Sequence, residues 1–411
     1  MPFLVSLRHL RAFIAVAEQG SVTKAAESLF RAQSAVTRSI RELELALDVE
    51  LFERKTSGML CTVFGNVVLE RAQRAVHEFE LAADELLDKP KTNSRITKPR
   101  FVAALFNERR LLTFVKLVES RHMPTVAKSL GISQPAVSGS INDLEASLGF
   151  ELFKRTSKGM VTTEDGELLT FRVKRALAEL RHVEEDIAAL RGTMEGRVIV
   201  GALPLGRTFI LPDAINRVLA KHPHLRFSTV EGPFDHLAAG LRAGDIDFIF
   251  GALRPPDYAK DLIGEPLLSD RMSVVGRRDH PLAKQKKIGM DDLLKAQWVL
   301  SNRGTPARHL FDLSFTAENL EPPVDAVETS DLAILRGLLM HSDMLTAISA
   351  QQLHYEIAAG ALQVLNIDLP KTTRMIGITQ RMESLASPGA LALMEEIRNV
   401  IQEIQGNARA A

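Results

Sequence analysis

Two sets of residues in this sequence have types and spacings suited to recognising a polyanion. Gln134, Ser138 and Asn142 recur at intervals of four, which puts three short hydrogen-bonding side chains on one side of a helix. The other side is Val137, Ile141, Leu144 and Leu148, a continuous apolar stripe. With Pro135 beside Gln134, this is the composition of a helix that offers hydrogen bonds to phosphates or base edges while its back is packed. A second set, Gln33, Ser34, Thr37, Arg38 and Arg41, faces away from Val36, Ile40, Leu43 and Leu47 in the same manner. Arg38 can contact guanine bidentately or form a charge-assisted bond to phosphate. In the other set, Gly139 and Asn142 replace those two arginines.

The elements that position these residues are readable upstream. Thr125–Leu130 is a short helical turn with small Ala127, and Gly131-Ile132-Ser133 makes a tight connection in which Gly131 can adopt positive φ. A short helix, a glycine turn and a Ser/Gln-started helix spell helix-turn-helix, whose second helix enters the major groove. A packed helical hairpin that touches no nucleic acid fits the same pattern on this segment alone.

Sliding the chain by 101 positions superposes Leu10–Val76 on Leu111–Leu177 without a gap, with roughly 25 of about 67 positions shared. Shared residues include Phe13/Phe114, Ala26/Ala127, Gln33/Gln134, Leu43-Glu44/Leu144-Glu145, Leu51-Phe52/Leu152-Phe153, Arg54/Arg155 and Gly65/Gly166. These are two tandem copies of one folded unit. Each copy runs on into two short extended segments round a glycine (Gly58, Gly159), a wing on which Arg54, Lys55, Lys154, Arg155 and Lys158 lie where a wing meets phosphates, or are plain solvated charge. A long amphipathic helix follows each wing, Asn66–Leu87 and Glu167–Leu190, the second with the irregular apolar face of a helix that pairs with a partner. Between the copies, Lys89–Arg110 is rich in Lys and Arg, and reads as a linker lying along a phosphate backbone or as a solvated tether.

The copies differ in ways that divide the labour. The first has Phe30-Arg31-Ala32 in its turn and a more apolar wing, Met59–Phe64, yet keeps the two arginines. Either one copy reads bases while the other scaffolds, or both grip adjacent half-sites.

From Gly192 the pattern changes to strand, helix, strand, helix, strand, the signature of an α/β unit with a parallel sheet. Further strands around Leu267–Arg277, Trp298–Leu300 and Leu345–Ile348 build a second lobe, and Arg374–Thr379 with a terminal helix Pro388–Gln405 returns the chain to the first. Two crossings make a hinged cleft. The expected boundaries are 1–65 and 110–166 for the winged units, 66–88 for the first long helix, 89–109 for the linker, 167–192 for a dimerisation helix and 193–411 for the two-lobed domain. Lobe I takes about 193–266 and 368–411, lobe II about 267–367. Pro204-Leu205-Gly206-Arg207-Thr208 links a strand end to a helix start, where N–H groups can hold a carboxylate.

Composition narrows the classes. The chain has 411 residues, a formal net charge of zero and 45% hydrophobic content, so DNA binding must rest on local patches. The single cysteine, Cys61, excludes an internal disulfide framework and a Cys-based metal cluster within one chain. No apolar run is long enough to cross a bilayer, the start lacks a secretory layout, and a cytoplasmic location is expected. The histidines lack metal-ligand spacing, and no phosphate-binding, dinucleotide or nucleophile-elbow motif meets a strand–helix junction. No enzyme activity, metal or cofactor is expected. An assembly module that uses its helix-turn-helix units for protein contacts remains the alternative.

The run Gln134-Pro135-Ala136-Val137-Ser138, Leu144-Glu145, Leu148-Gly149 with Leu152-Phe153-Lys154-Arg155, then His222-Pro223 and Gly244-Asp245-Ile246-Asp247-Phe248, resembles the LysR-type transcriptional regulators over nearly the whole chain. The resemblance implies winged helix-turn-helix domains followed by an α/β effector domain akin to type 2 periplasmic binding proteins. It implies sequence-specific binding of double-stranded DNA, homodimers or homotetramers, contact with RNA polymerase, and a small effector between the lobes. That effector is expected to be an aromatic or sugar-derived acid. By analogy, Phe234 and Asn302-Arg303-Gly304-Thr305 face the cleft with Arg303 as anion clamp, and Ser330 and Gly251 complete the effector set. The family pattern has one reader per chain; this chain has two.

Overall fold

The computed structural model describes residues 6–56, 58–88, 96–157 and 159–410, the last four by backbone alone. The chain divides into two compact units, the first made mainly of the residues up to Gly196 and the second mainly of those from Arg197 onward.

The first unit holds both repeats. Copy one runs α1 (Leu7–Gln19), α2 (Val22–Ser28), α3 (Gln33–Leu47), a hairpin of β1 (Phe52–Lys55) and β2 (Gly58–Cys61), and α4 (Val63–Leu87). A helix α5 (Lys98–Leu105) precedes copy two: α6 (Glu108–Ser120), α7 (Met123–Leu130), α8 (Gln134–Leu148), the hairpin β3 (Phe153–Thr156) with β4 (Gly159–Thr162), and α9 (Glu164–Leu190). The expected stripes are the core: Val36, Ile40, Leu43 and Leu47 in α3, and Val137, Ile141, Leu144 and Leu148 in α8, are all buried.

Residues shared by the repeats make the same structural bonds twice. The Glu44 carboxylate accepts the Leu51 N–H at 2.9 Å, and Glu145 accepts that of Leu152 at 2.7 Å. Thr62 and Thr163 cap the long helices, accepting from Gly65 and Gly166 N–H at 3.0 Å each. Those caps start α4 and α9 three residues before the expected Asn66 and Glu167. A Cβ on Gly65 would lie 2.1 Å from the Leu51 carbonyl oxygen, and one on Gly166 2.2 Å from that of Leu152, so both positions need glycine.

Two expectations are corrected here. The linker 89–109 is only partly a tether: Lys89–Arg95 lie outside the described residues, but Lys98–Leu105 is helical, with Phe101 and Leu105 buried and Lys98 paired to Asp84 at 2.8 Å. The apolar run Phe101–Leu105 after Pro99 explains this. Second, the partner of the expected dimerisation helix is in the same chain. α4 and α9 pack antiparallel, joined by Arg71 to Glu179 at 2.8 Å and to Asp186 at 2.7 Å, and by Arg172 to Glu78 at 3.0 Å and to Glu85.

The second unit has two five-stranded sheets. Lobe I comprises β5 (Gly196–Ala202), α10 (Ile210–Lys221), β6 (Leu225–Glu231), α11 (Phe234–Ala243), β7 (Phe248–Ala252) and β8 (Leu262–Asp270), later completed by β14 (Arg374–Arg381) and α16 (Pro388–Ala410). Lobe II comprises β9 (Met272–Arg277), α12 (Met290–Leu294), β10 (Gln297–Leu300), α13 (Pro306–Thr316), β11 (Asp325–Glu328), α14 (Leu332–His341), β12 (Met344–Ser349), α15 (His354–Ala358) and β13 (Leu362–Asp368). The chain then returns through β14 and α16. Strand orders are β6-β5-β7-β14-β8 and β11-β10-β12-β9-β13. The single strand expected around Leu267–Arg277 is therefore two, in different sheets, and the first crossing falls at Arg271 and not near 266. β7 is buried on both faces, as a central strand of a covered sheet must be.

Candidate DNA-reading and effector sites

On α3, Gln33, Ser34, Thr37, Arg38 and Arg41 are all exposed, because the apolar stripe turns them outward. Arg38 is not a free cation: its Nε donates to Glu42 at 2.8 Å, and His9 Nε2 lies 2.9 Å from the same carboxylate. Its hydrogen bond to Glu42 holds the guanidinium above its ordinary pKa. Arg41 has no such tie among the described residues. On α8, Gln134, Pro135 and Asn142 are exposed and Ser138 is half-buried. Ser133 caps this helix by accepting from the Ala136 N–H at 3.3 Å, whereas Ala32 gives α3 no side-chain cap.

The wings place Arg54 and Lys55 on β1, and Lys154 and Arg155 on β3, all exposed. Lys55 leans on Glu53 at 2.9 Å. Lys158 lies outside the described residues. Each hairpin is tied to its own body by an equivalent bond, Met59 N–H to the Gly20 carbonyl and Met160 N–H to the Arg121 carbonyl, both 3.0 Å, and β3 adds its Phe153 N–H to Glu145 at 3.2 Å.

In the effector unit, the carboxyl ends of β5 and β7 point the same way because those strands pair in parallel. The loop after β5 is a 3-10 turn, Pro204–Arg207. Leu205 and Gly206 are buried, and a Cβ on Gly206 would strike the Phe250 ring at 2.4 Å; Gly251 is packed against Leu203 in the same way. These three shape the loop and offer no side chain to a ligand. Pro204 is exposed. Arg207 folds back to the Ala202 carbonyl at 2.8 Å, and burial pushes its guanidinium below the usual value against the pull of Glu231.

Sequence reasoning missed Arg254, just past β7. Its guanidinium sits over the Phe234 ring, 4.5 Å from the centroid, and burial lowers its pKa too. Phe234 is itself buried, edge to face with Tyr258. The signal available was position alone: a residue beyond a parallel strand's carboxyl end, where open α/β sheets bind ligands.

Lobe II contributes the loop after β10. Thr305 caps α13, and Asn302 accepts the Ser330 hydroxyl at 2.8 Å. Gly304 takes the positive φ of the turn. Arg303, expected as an anion clamp, is committed elsewhere: its guanidinium lies 3.4 Å from Asp325 and 3.7 Å from Glu328, and its N–H donates to Glu328. The two lobes meet edge to edge, since Thr208 donates to the Gln352 carbonyl at 3.0 Å and Phe209 stacks on His354 at 4.2 Å, joining the segments after β5 and β12. A metal is not suggested by any His/Cys/Asp/Glu group among the described residues.

Paired winged helix-turn-helix units followed by a two-lobed α/β domain define a ligand-responsive DNA-binding protein. Residues 191–402 match the LysR substrate binding domain, and 7–66 and 109–167 each match the bacterial regulatory helix-turn-helix protein model of the lysR family. The chain belongs to the LysR family of DNA-binding transcriptional regulators and is not an enzyme. It is similar to the HTH-type transcriptional regulator GalR of Pseudomonas putida, 51% identical over 97% of this chain and 98% of that protein. GbpR of Azospirillum brasilense is 27% identical over 72% of this chain and 87% of its own. Solved structures share the fold: OxyR from Pseudomonas aeruginosa (23% identity, TM-score 0.54, covering 71% of this chain and 93% of that one) and full-length CbnR complexed with its target DNA (22%, 0.52, 71% and 99%).

Proposed function

We propose that this regulator binds its operator through α3, α8 and the wing cations, and that a small organic acid, aromatic or sugar-derived, held between the lobes controls that binding. The effector reading is carried by Arg207 and Arg254. Both are half-buried at neighbouring strand ends, both are held below their ordinary pKa by burial, and each donates to a backbone carbonyl, Ala202 and Ala252. Desolvated cations of this kind are stabilised by an incoming carboxylate, and the Phe234 ring beside Arg254 suits an aromatic or sugar face. Thr208, Asn302, Thr305 and Ser330 supply polar groups along the same edges. Assembly of chains into dimers or tetramers, contact with RNA polymerase at the promoter and a cytoplasmic location belong to the same reading. Among the described residues, no helix is long and apolar enough to cross a membrane.

Thermal-shift titration with aromatic and sugar acids, followed by gel shifts on the upstream DNA, tests it. An acid that raises the melting temperature should do so at least ten-fold more weakly in Arg254→Ala, with effector-free DNA binding retained. Equal responses in wild type and in both Arg207→Ala and Arg254→Ala would discard the anion site.

A further inference from the structure

The ion pairs between α4 and α9 follow a two-fold rule. Positions 101 apart are equivalent in the two copies, so Arg71 corresponds to Arg172, Glu78 to Glu179 and Glu85 to Asp186. Arg71 reaches Glu179 and Asp186, and Arg172 reaches Glu78 and Glu85. Each of these four ion pairs has its exchanged image. Reciprocity of this kind is the mark of an isologous interface, which two identical subunits ordinarily make. Here it closes within one polypeptide.

Each reader is packed on its own long helix, α1 on α4 and α6 on α9. The pseudo-dyad relating α4 to α9 therefore also relates α3 to α8, which is the relation that inverted half-sites demand of two recognition helices. The two faces are not equal. α3 presents Arg41, with Arg38 beside it bonded to Glu42, while α8 carries no cation and presents Gln134 and Asn142. Arginine favours guanine, and the amides favour adenine.

We infer that one chain is a complete two-site reader, and that it recognises an operator of two inverted but unequal arms, one read by Arg41 of α3 and the other by the amides of α8. The inference rests on the proposed assignment of α3 and α8 as base-reading helices. It makes the operator bipartite and non-palindromic, with a fixed orientation on the DNA.

In vitro selection of random duplexes by the full chain tests the arms. The expected motif has two different inverted arms about 10 base pairs apart, centre to centre. Arg41→Ala should relax preference for a guanine about ten-fold in one arm only, and Asn142→Ala should relax one position in the other arm only. Identical arms, a single arm, or one substitution relaxing both arms would overturn the inference. A second measurement asks where the partner helix comes from. In a Cys61→Ser background, Glu85→Cys with Arg172→Cys, treated with a short bismaleimide, should yield a cross-linked band of monomer size, and a mixture of the two single-cysteine chains should yield no covalent dimer. A covalent dimer from the mixture overturns the one-chain reader. If no duplex is enriched while the cross-link stays within the chain, it is the base-reading assignment that fails.

Discussion

Arg71 and Glu179, 108 positions apart in sequence, form an ion pair of 2.8 Å from which water is excluded: the arginine is 1% exposed and the glutamate 6%. Burial opposes the charge on Arg71, but hydrogen bonds to Asp186 and Glu179 hold the guanidinium above its ordinary pKa. Removing the arginine takes from Glu179 and Asp186 their buried partner, although Glu179 keeps Arg74 at 3.3 Å. Arg71→Ala should cost about 3–5 kcal/mol in urea unfolding of the full chain. A paired Arg71→Leu/Glu179→Leu change should cost less than the single one, because Asp186 is then the one carboxylate left without Arg71 where the single change leaves two; an equal or larger loss would contradict this account.

Glycine is required where α4 and α9 begin. Gly65→Ala and Gly166→Ala each drive a methyl into a backbone carbonyl about 2 Å away, and each should lower stability by about 3 kcal/mol. The melting transition of the first unit reports this, and wild-type stability in either variant would show that the close approach is relieved cheaply.

Phe30 occupies the turn position held by Gly131 in the second copy, and both adopt left-handed backbone, φ 53° and 65°. Its ring is 98% exposed, so the strain is offset by no burial. Phe30→Gly should therefore stabilise the protein by about 1 kcal/mol. A destabilised variant would mean that the ring has a partner in solution.

The wing cations differ from the helix residues in what they should change. Alanine at Arg54 or Arg155 is expected to weaken binding to all sequences alike and to reduce the slope of log affinity against log salt by about one. Gel shifts at several salt concentrations measure it, and an unchanged slope would place that side chain away from phosphate.

Acid should loosen the effector unit. The Arg398 guanidinium, forked on Glu265 at 2.8 and 2.9 Å, holds that carboxyl below its usual range, against mild desolvation. Lys221 does the same to Glu396, and Arg217 to Glu403. A folded pKa below the unfolded one gives stability that is complete above about pH 4.3 and is lost as the pH falls through the folded value. Glu265→Gln should be less stable than wild type at pH 7 and should show a shallower decline below pH 4 in thermal melts.

The exposed polar faces of α3 and α8, the repeat and the two-lobed architecture were legible in the sequence because each depends on local periodicity. Val137–Leu148 announces a buried stripe wherever it packs, and a 101-residue shift of core residues can only mean a duplicated unit. Glu44 and Glu145 stand out in the sequence as residues shared by the repeats; their role as acceptors for Leu51 and Leu152 depends on a loop returning seven residues later, which no pattern displays. Arg254 went unnoticed because its neighbours in sequence are not its neighbours in space.

What the sequence determined by itself was the inventory: two helix-turn-helix units, their wings, their long helices and an α/β effector domain, each dictated by hydrophobic spacing and turn residues. What only the tertiary structure decided was pairing. An amphipathic helix states that it needs a partner but not which one, since apolar burial is non-directional, and the choice of α4 for α9 is made by reciprocal charges that meet only once the chain has folded back antiparallel. The same holds for Arg38 and Arg303, cations in sequence whose charge is already engaged by Glu42, and by Asp325 and Glu328, in the folded protein.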